Sequence, residues 1–321
     1  MSLPVYFAPL EGVTDAPFRR VHHACFPGIA KYFIPFISPT QNLTMTARDL
    51  SAVSPEHNAG LYAVPQILTK DAAHFLWAAQ ALFDMGYAEI NLNLGCPSGT
   101  VTAKGKGSGM LTNLPHLESF LDEIYAHSPA AVSIKTRIGF ASADEFAPLL
   151  ALLSRYPVHE LIVHPRTRAQ FYGGTPHREA YAAAHDACTQ PLVYNGDLFT
   201  PEDCAGIEQA FPKTAALMLG RGLIANPALA QTCAGGAPVT VGSLRCFHDE
   251  LMEANLQRYP KNVALGRMRE VMKHMICCFD GADKVRKAIR KANNLDAYSA
   301  AAGLLFSCYP LRKDPGFLPD T

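Results

Sequence analysis

The chain has 321 residues, 49% of them hydrophobic and 17% charged, with 28 Lys and Arg balancing 28 Asp and Glu. That length suits one large α/β core with a small appendage, and the neutral total excludes a protein that binds polyanions over its whole surface. No apolar run is long enough to cross a membrane, and the opening MSLPVYFAPLEG lacks the basic start and apolar stretch of a signal peptide, so a cytoplasmic protein without a membrane partner is expected.

Taken in order, eight short apolar runs read as strands: VYFAP (5–9), YFIPFI (32–37), YAVPQI (62–67), EINLN (89–93), VSIKT (132–136), ELIVH (160–164), LVYN (192–195) and ALMLG (216–220). Pro65 weakens the third, because proline cannot donate to a ladder. Helical patterns lie between the runs. Leu117, Phe120, Leu121 and Ile124 recur at i, i+3, i+4 and i+7. Thr200-Pro201-Glu202-Asp203 is a helix start, with a capping hydroxyl, proline in the first turn and acids at the positive end. Eight alternations in roughly 235 residues fit a parallel (β/α)8 TIM barrel. A doubly wound sheet would need a glycine-rich turn after its first strand, and APLEGVTD is not one.

TCAGGAPVTVGS (232–243) reads as a linker. Beyond it the pattern is helical only, so residues 1–240 are expected to form the barrel and 241–321 a small all-helical C-terminal domain. Met268, Val271, Met272, Met275, Ile276 and Phe279 make one apolar stripe there. In KVRKAIRK (284–291) five of eight residues are cationic. The last 81 residues hold 13 Lys and Arg against 9 Asp and Glu, so a neutral molecule can still carry one basic face. Nine cysteines, an odd number without a C-x-x-C pair, predict free thiols and no metal centre.

In such a barrel the residues just past the strand ends line the active site. Here they are Pro9-Leu10-Glu11, Gln66, Asn93 and Cys96, Lys135 and Arg137, His164, Arg166 and Thr167, Asn195-Gly196-Asp197, and Gly220-Arg221-Gly222. One polar residue of this kind is an ordinary core group; so many in succession converge on a site. The glycines and the arginine after strands seven and eight suit a phosphate, helped by a helix expected to start near Leu223. GKGSG (105–109) lacks the spacing of a nucleotide loop. Lys135 admits two readings, a Schiff-base nucleophile as in an aldolase or a fixed charge beside a flavin ring carbonyl. Gln66, both donor and acceptor, suits the edge of a flavin pyrimidine, and an aldolase has no evident use for it or for Cys96.

APLEGVTDAPFR, Gln66, NLNLGCPSGTVTAKGKGSGML, KTRIG, HPRTRAQFYGG, NGD and GRG, in this order, resemble the tRNA-dihydrouridine synthases over residues 5–230, and RMREVM and KVRKAIRKANN resemble that family's helical domain. The resemblance implies an FMN enzyme that reduces the 5,6 double bond of selected tRNA uridines, with NADPH as reductant and no protein partner. It implies that Pro9, Leu10 and Glu11 lie against the flavin, that Gln66 and Lys135 bind its pyrimidine end, and that His164 contacts it. Asn195, Gly196, Asp197, Gly220 and Arg221 would hold the ribityl phosphate, Cys96 would donate the proton, and Asn93 would help hold the uracil. Lys104 and Lys106, on a loop expected to close over the base, would meet RNA phosphates. So would Arg166, Arg168, Lys284, Arg286, Lys287, Arg290 and Lys291. Pro165, Met110 and Leu10 depart from the family pattern, which bears on flavin packing. The alternatives are a small-molecule FMN barrel of the dihydroorotate or dihydropyrimidine dehydrogenase type, which would not need residues 241–321, and a non-catalytic RNA-binding barrel.

Overall fold

The computed structural model describes residues 3–318. Eight parallel strands close on themselves in chain order: β1 (Val5–Phe7), β2 (Ile29–Ile37), β3 (Ala63–Ile67), β4 (Glu89–Leu94), β5 (Ala131–Arg137), β6 (Leu161–His164), β7 (Leu192–Tyr194) and β8 (Ala216–Leu219), with β8 pairing back to β1. Every expected strand is present, with bounds shifted by one to three residues. Pro65 is accommodated because the pairing of β2 with β3 slips register between Ile34 and Ile37, beside Pro35 and Pro65.

The outer layer is helical: α1 (Ala16–Cys25), α2 (Ala47–Val53), α3 (Ala72–Asp84), α4 (Gly99–Thr102), α5 (Leu114–His127), α6 (Phe146–Leu153), α7 (Arg178–Ala187), α8 (Pro201–Ala210), α9 (Arg221–Ala225) and α10 (Leu229–Cys233). The α5 stripe Leu117, Phe120, Leu121 and Ile124 is buried as its spacing requires, each large apolar side chain contributing roughly 1.5–3 kcal/mol. Thr200 caps α8 in a capping box with Asp203. The expected linker is shorter than its composition suggests, since α10 runs to Cys233 and the next helix begins at Val241.

Side chains alternate across each strand, so inward positions recur every second residue. Tyr6, Ala8, Phe33, Val64, Ile162, Val193, Ala216 and Met218 form a separate apolar cluster inside the barrel. Two residues further along β3 and β6, and again past the end of β7, the inward positions become Gln66, His164 and Asn195. At the other end, Lys31 lies between Glu89 (2.7 Å) and Glu160 (2.9 Å), and the Tyr6 hydroxyl donates to Glu160 at 2.8 Å. The barrel floor is therefore an ion-paired plug.

Helices α11 (Val241–Arg258), α12 (Lys261–Met275), α13 (Asp283–Lys291) and α14 (Leu295–Cys308) follow. The methionine-rich stripe is buried; α11 packs on α1 and α12 on α9. Helix α13 buries Val285 and Ile289 and turns its cations outward. Asp15 ties this unit to the β1–α1 loop. Its Oδ1 caps α1 through the Phe18 amide (3.1 Å), while Oδ2 accepts from the Tyr259 hydroxyl (2.9 Å) and pairs with Arg267 (2.6 Å). After α14 the chain returns along the molecule. Phe279 and Leu311 form an antiparallel bridge, Arg312 N–H donates to the Cys278 carbonyl (2.8 Å), and the Asn226 amide donates to the Pro315 carbonyl (3.1 Å).

Candidate active site

A cleft of about 1260 Å³ opens at the C-terminal ends of the strands. Pro9, Leu10, Glu11, Gln66, Asn93, Cys96, Lys135, His164, Asn195, Gly196, Asp197, Gly220 and Arg221 all line it. The opposite wall comes from α12 and α13, with Arg269, Lys273, Arg286, Lys287 and Arg290 outnumbering Glu270 and Asp283.

A chain of amides organises one side. Ser133 Oγ accepts from Asn91, whose Oδ1 accepts from Gln66 (2.7 Å), whose Oε1 accepts from Asn93 (2.7 Å). Asn93 Oδ1 then accepts the backbone N–H groups of Gly95 (3.1 Å) and Cys96 (2.9 Å). Asn93 thus shapes the turn that presents the thiol. Gln66 and Asn93 each keep one amide proton unspent.

Burial pushes the Cys96 thiol above its ordinary range, more than the Ser98 N–H and the charges of Arg137 and Lys135 pull it down. It therefore stays protonated at neutral pH. The loop expected to close over the base carries regular structure: it forms α4 and a 3₁₀ turn over Gly107–Thr112, and Ser108 gives both its hydroxyl (2.8 Å) and its amide (3.2 Å) to the Cys96 carbonyl. Gly107, at φ 58°, is held against Cys96, where a Cβ would come within 3.0 Å of the cysteine Cβ.

Lys135 is pulled down to about 7, first by burial and then by Arg137 beside it; Cys96 acts the other way, and no carboxylate is among the groups that act on it. Arg137 donates to the carbonyls of Gly95 (3.0 Å) and Thr167 (2.8 Å). His164 is held well below its ordinary value by burial and by four cations, so it is neutral. Arg166 can only donate, and it meets His164 Nε2 at 3.3 Å, which leaves the imidazole proton on Nδ1. Asp197 adopts φ 44° and accepts from Arg166 and Arg221. Arg166 and Arg221 thus share one carboxylate, and Lys135 and Arg137 have none acting on them, a donor set short of anions.

These residues fit a flavin phosphate. A Cβ on Gly220 would fill space against Ala8 and Leu10 (3.5 Å each), and one on Gly196 would press on His164 and Pro165 (3.4 Å each), so both glycines keep a cradle open. Helix α9 begins at Arg221 rather than Leu223 and spans five residues, too few for a dipole of consequence.

Other expected positions lie elsewhere. Arg166 is 1% exposed, and Asp197 with the Gly173 and Gly174 carbonyls occupies its guanidinium, so it is a strut of the site with nothing to offer an incoming phosphate. Arg168 packs on Phe140 and Phe171 outside the cleft. Lys104 is exposed, and Lys106 donates to Ser38 (2.9 Å); burial and repulsion from Lys104 and Lys70 lower its affinity for a proton. Lys284 and Lys291 are exposed on α13 but off the cleft wall. Met110 is buried in the outer core rather than at the cleft, whereas Leu10 lines it.

The dihydrouridine synthase family model matches residues 6–303. A probable tRNA-dihydrouridine synthase of Rhodobacter capsulatus is 31% identical over 283 residues, covering 85% of each chain. The chain belongs to the dihydrouridine synthase family. A probable tRNA-dihydrouridine synthase 1 of Synechocystis is 27% identical over 303 residues, spanning 90% of this chain and 82% of that one. Among solved structures, the old yellow enzyme homologue of Zymomonas mobilis shares the barrel, with a TM-score of 0.56 at 13% identity over 74% of this chain and 89% of that one. The family match stops before the C-terminal segment that returns to the barrel.

Sequence reasoning left several cleft residues of this family member without a role. Arg137 and Tyr172 stood inside motifs already noticed, and Tyr172 now sits 4.7 Å from the Arg221 guanidinium and 5.6 Å from that of Arg137. Arg269 stood inside RMREVM without a role, and Lys273 carried no signal beyond the composition of α12. Phe317 carried none at all.

Proposed function

We propose that this chain reduces selected uridines of tRNA to 5,6-dihydrouridine, with FMN as cofactor and NADPH as reductant, in the cytoplasm. The observation that carries this reading is a protonated thiol sharing one cleft with a buried lysine that no carboxylate neutralises. Gln66 and Lys135 would hold the pyrimidine end of the flavin, with His164 beside it. Pro9, Leu10 and Glu11 would pack along the ring. Asn195, Gly196, Gly220 and Arg221 would take the phosphate, with Asp197 aiming Arg221. When bound and reduced, FMN supplies the hydride for one carbon of the uracil double bond.

The neighbouring carbon then needs a proton, and Cys96 Sγ gives it. A positioned general acid of this kind is worth about 10²- to 10⁴-fold. Asn93 keeps the thiol in place through the Cys96 amide and offers its spare N–H to the uracil. The base must be turned out of the RNA to enter, at a cost of a few kcal/mol. Residues 1–240 would act as the catalytic barrel and residues 241–321 as the RNA grip, through Arg286, Lys287 and Arg290 on the cleft wall and Lys284 and Lys291 beside it. Lys104 and Lys106 would meet phosphates at the rim, joined by Lys70.

The purified protein should carry the yellow absorbance of an oxidised flavin and, given NADPH, should form dihydrouridine in unmodified tRNA. A colourless protein that binds tRNA without reducing it refutes the proposal. Turnover of free uracil that survives deletion of residues 241–321 points to a small-molecule enzyme instead.

A further inference from the structure

The segment after α14 takes no part in the chemistry above and lies beyond the family match. It is nevertheless built into the cleft. Its backbone is fastened at Pro310, Arg312 and Pro315, by Asp280 N–H (2.9 Å), the Cys278 carbonyl (2.8 Å) and the Asn226 amide (3.1 Å). Gly316 is buried so close to the β7–α8 loop that a Cβ there would stand 2.8 Å from the Phe199 carbonyl oxygen, so glycine is what lets this strap lie flat.

The next residue is thereby delivered onto the arginine of the phosphate cradle. The Phe317 ring centroid lies 5.1 Å from that of Phe199 and 4.8 Å from the Arg221 guanidinium. Tyr172 at 4.7 Å and Phe199 at 5.4 Å complete three rings around one cation, and Asp197 holds one of its nitrogens at 2.9 Å. A guanidinium confined in this way loses few rotamers when it meets an anion, and partial dehydration strengthens the charge-assisted bond it gives.

We propose that the C-terminal strap is part of the cofactor site. Phe317 closes the aromatic cage that aims Arg221 at the FMN phosphate, and so favours the phosphorylated flavin over the unphosphorylated one. The proposal rests on the flavin reading given above. Phe317 is a positioning residue, acting through Arg221.

The test titrates FMN and riboflavin separately into the flavin-free full-length protein, following flavin fluorescence, for the wild type, Phe317→Ala and Phe317→Tyr. Phe317→Ala should bind FMN about tenfold more weakly, equivalent to about 1.4 kcal/mol. Its riboflavin affinity should be unchanged, and Phe317→Tyr should keep the FMN affinity. Melting of the flavin-free proteins should be the same in all three. FMN affinity unaffected by Phe317→Ala overturns the proposal while leaving the flavin reading standing. Equal losses of FMN and riboflavin, with or without a lower melting temperature, also overturn it, because the strap would then act on the fold or on the ring. A wild-type protein that binds neither flavin defeats the cofactor reading and the strap with it.

Discussion

Replacing Cys96 with alanine removes the one acidic hydrogen that the proposed reaction needs and little else. The side chain is half-buried, its backbone is fixed by Asn93 and Ser108, and an alanine methyl fits where the Cβ already stands. Flavin content and the oxidation of NADPH in the absence of RNA should therefore stay as they are. Dihydrouridine formation should fall by about 10² to 10⁴, or about 3 to 5 kcal/mol on the barrier. The pH profile sharpens the point. The proton-bearing thiol is the working form, and burial raises its pKa, so the wild-type rate should hold through neutral pH and decline only above the ordinary thiol range of about 8.5. Cys96→Ser, with a hydroxyl that does not titrate there, should lower the rate and abolish that alkaline decline. The assay is single turnover of pre-reduced enzyme on unmodified tRNA, with dihydrouridine counted by nucleoside analysis. A Cys96→Ala enzyme that works at the wild-type rate, or a Cys96→Ser enzyme with the same alkaline limb, refutes the assignment.

Asn93→Ala strands the amides of Gly95 and Cys96 and the Gln66 carbonyl oxygen, and should cost about 2 kcal/mol in urea unfolding while slowing turnover with flavin retained. Wild-type turnover in that variant would separate Asn93 from the placement of the thiol. Lys135 is held near 7 in the folded chain against about 10.4 when unfolded, so the unfolded state binds the extra proton between those values. Stability of the flavin-free protein should then rise with pH across that window, by at most about 1.4 kcal/mol per pH unit from this group, and Lys135→Met should remove that share of the rise. Identical pH dependence of melting in the two proteins would contradict it. Removing Arg286, Lys287 and Arg290 together should weaken tRNA binding and flatten the log affinity against log salt plot by about 2 to 3, with flavin binding intact. An unchanged slope would move the RNA off this wall.

The strands were legible because burial on both sides of a barrel wall demands short apolar runs, and the polar residues that follow each run have no core to join. Hence Gln66, Asn93, Lys135, His164 and Asn195 could be placed before any coordinates. What sequence hid was partnership. Arg166 reads as one more exposed cation in HPRTR, yet Asp197, far along the chain, takes it into the interior. In the 97–110 loop the sequence does not show what each glycine is for: Gly107, at positive φ, lets the chain approach Cys96 closely, and Gly109 lies against Thr102. Pro65 looked like a defect in a strand until the register slip of β2 gave it a place. Arg269, Lys273 and Phe317 reach the cleft only through the packing of α12 and the return of the tail, which no local pattern encodes.

The barrel also separates two jobs by height. At the bottom, Lys31 sits between two glutamates, its positive charge fully answered. At the top, the cations outnumber the acids by design of the strand ends. Heat resistance can thus be tuned apart from reactivity: mutating the lower rim should shift melting and spare the reaction, whereas changes at the upper rim touch both, as Asn93 shows. A lineage, or an engineer, could harden the vessel without touching what it holds.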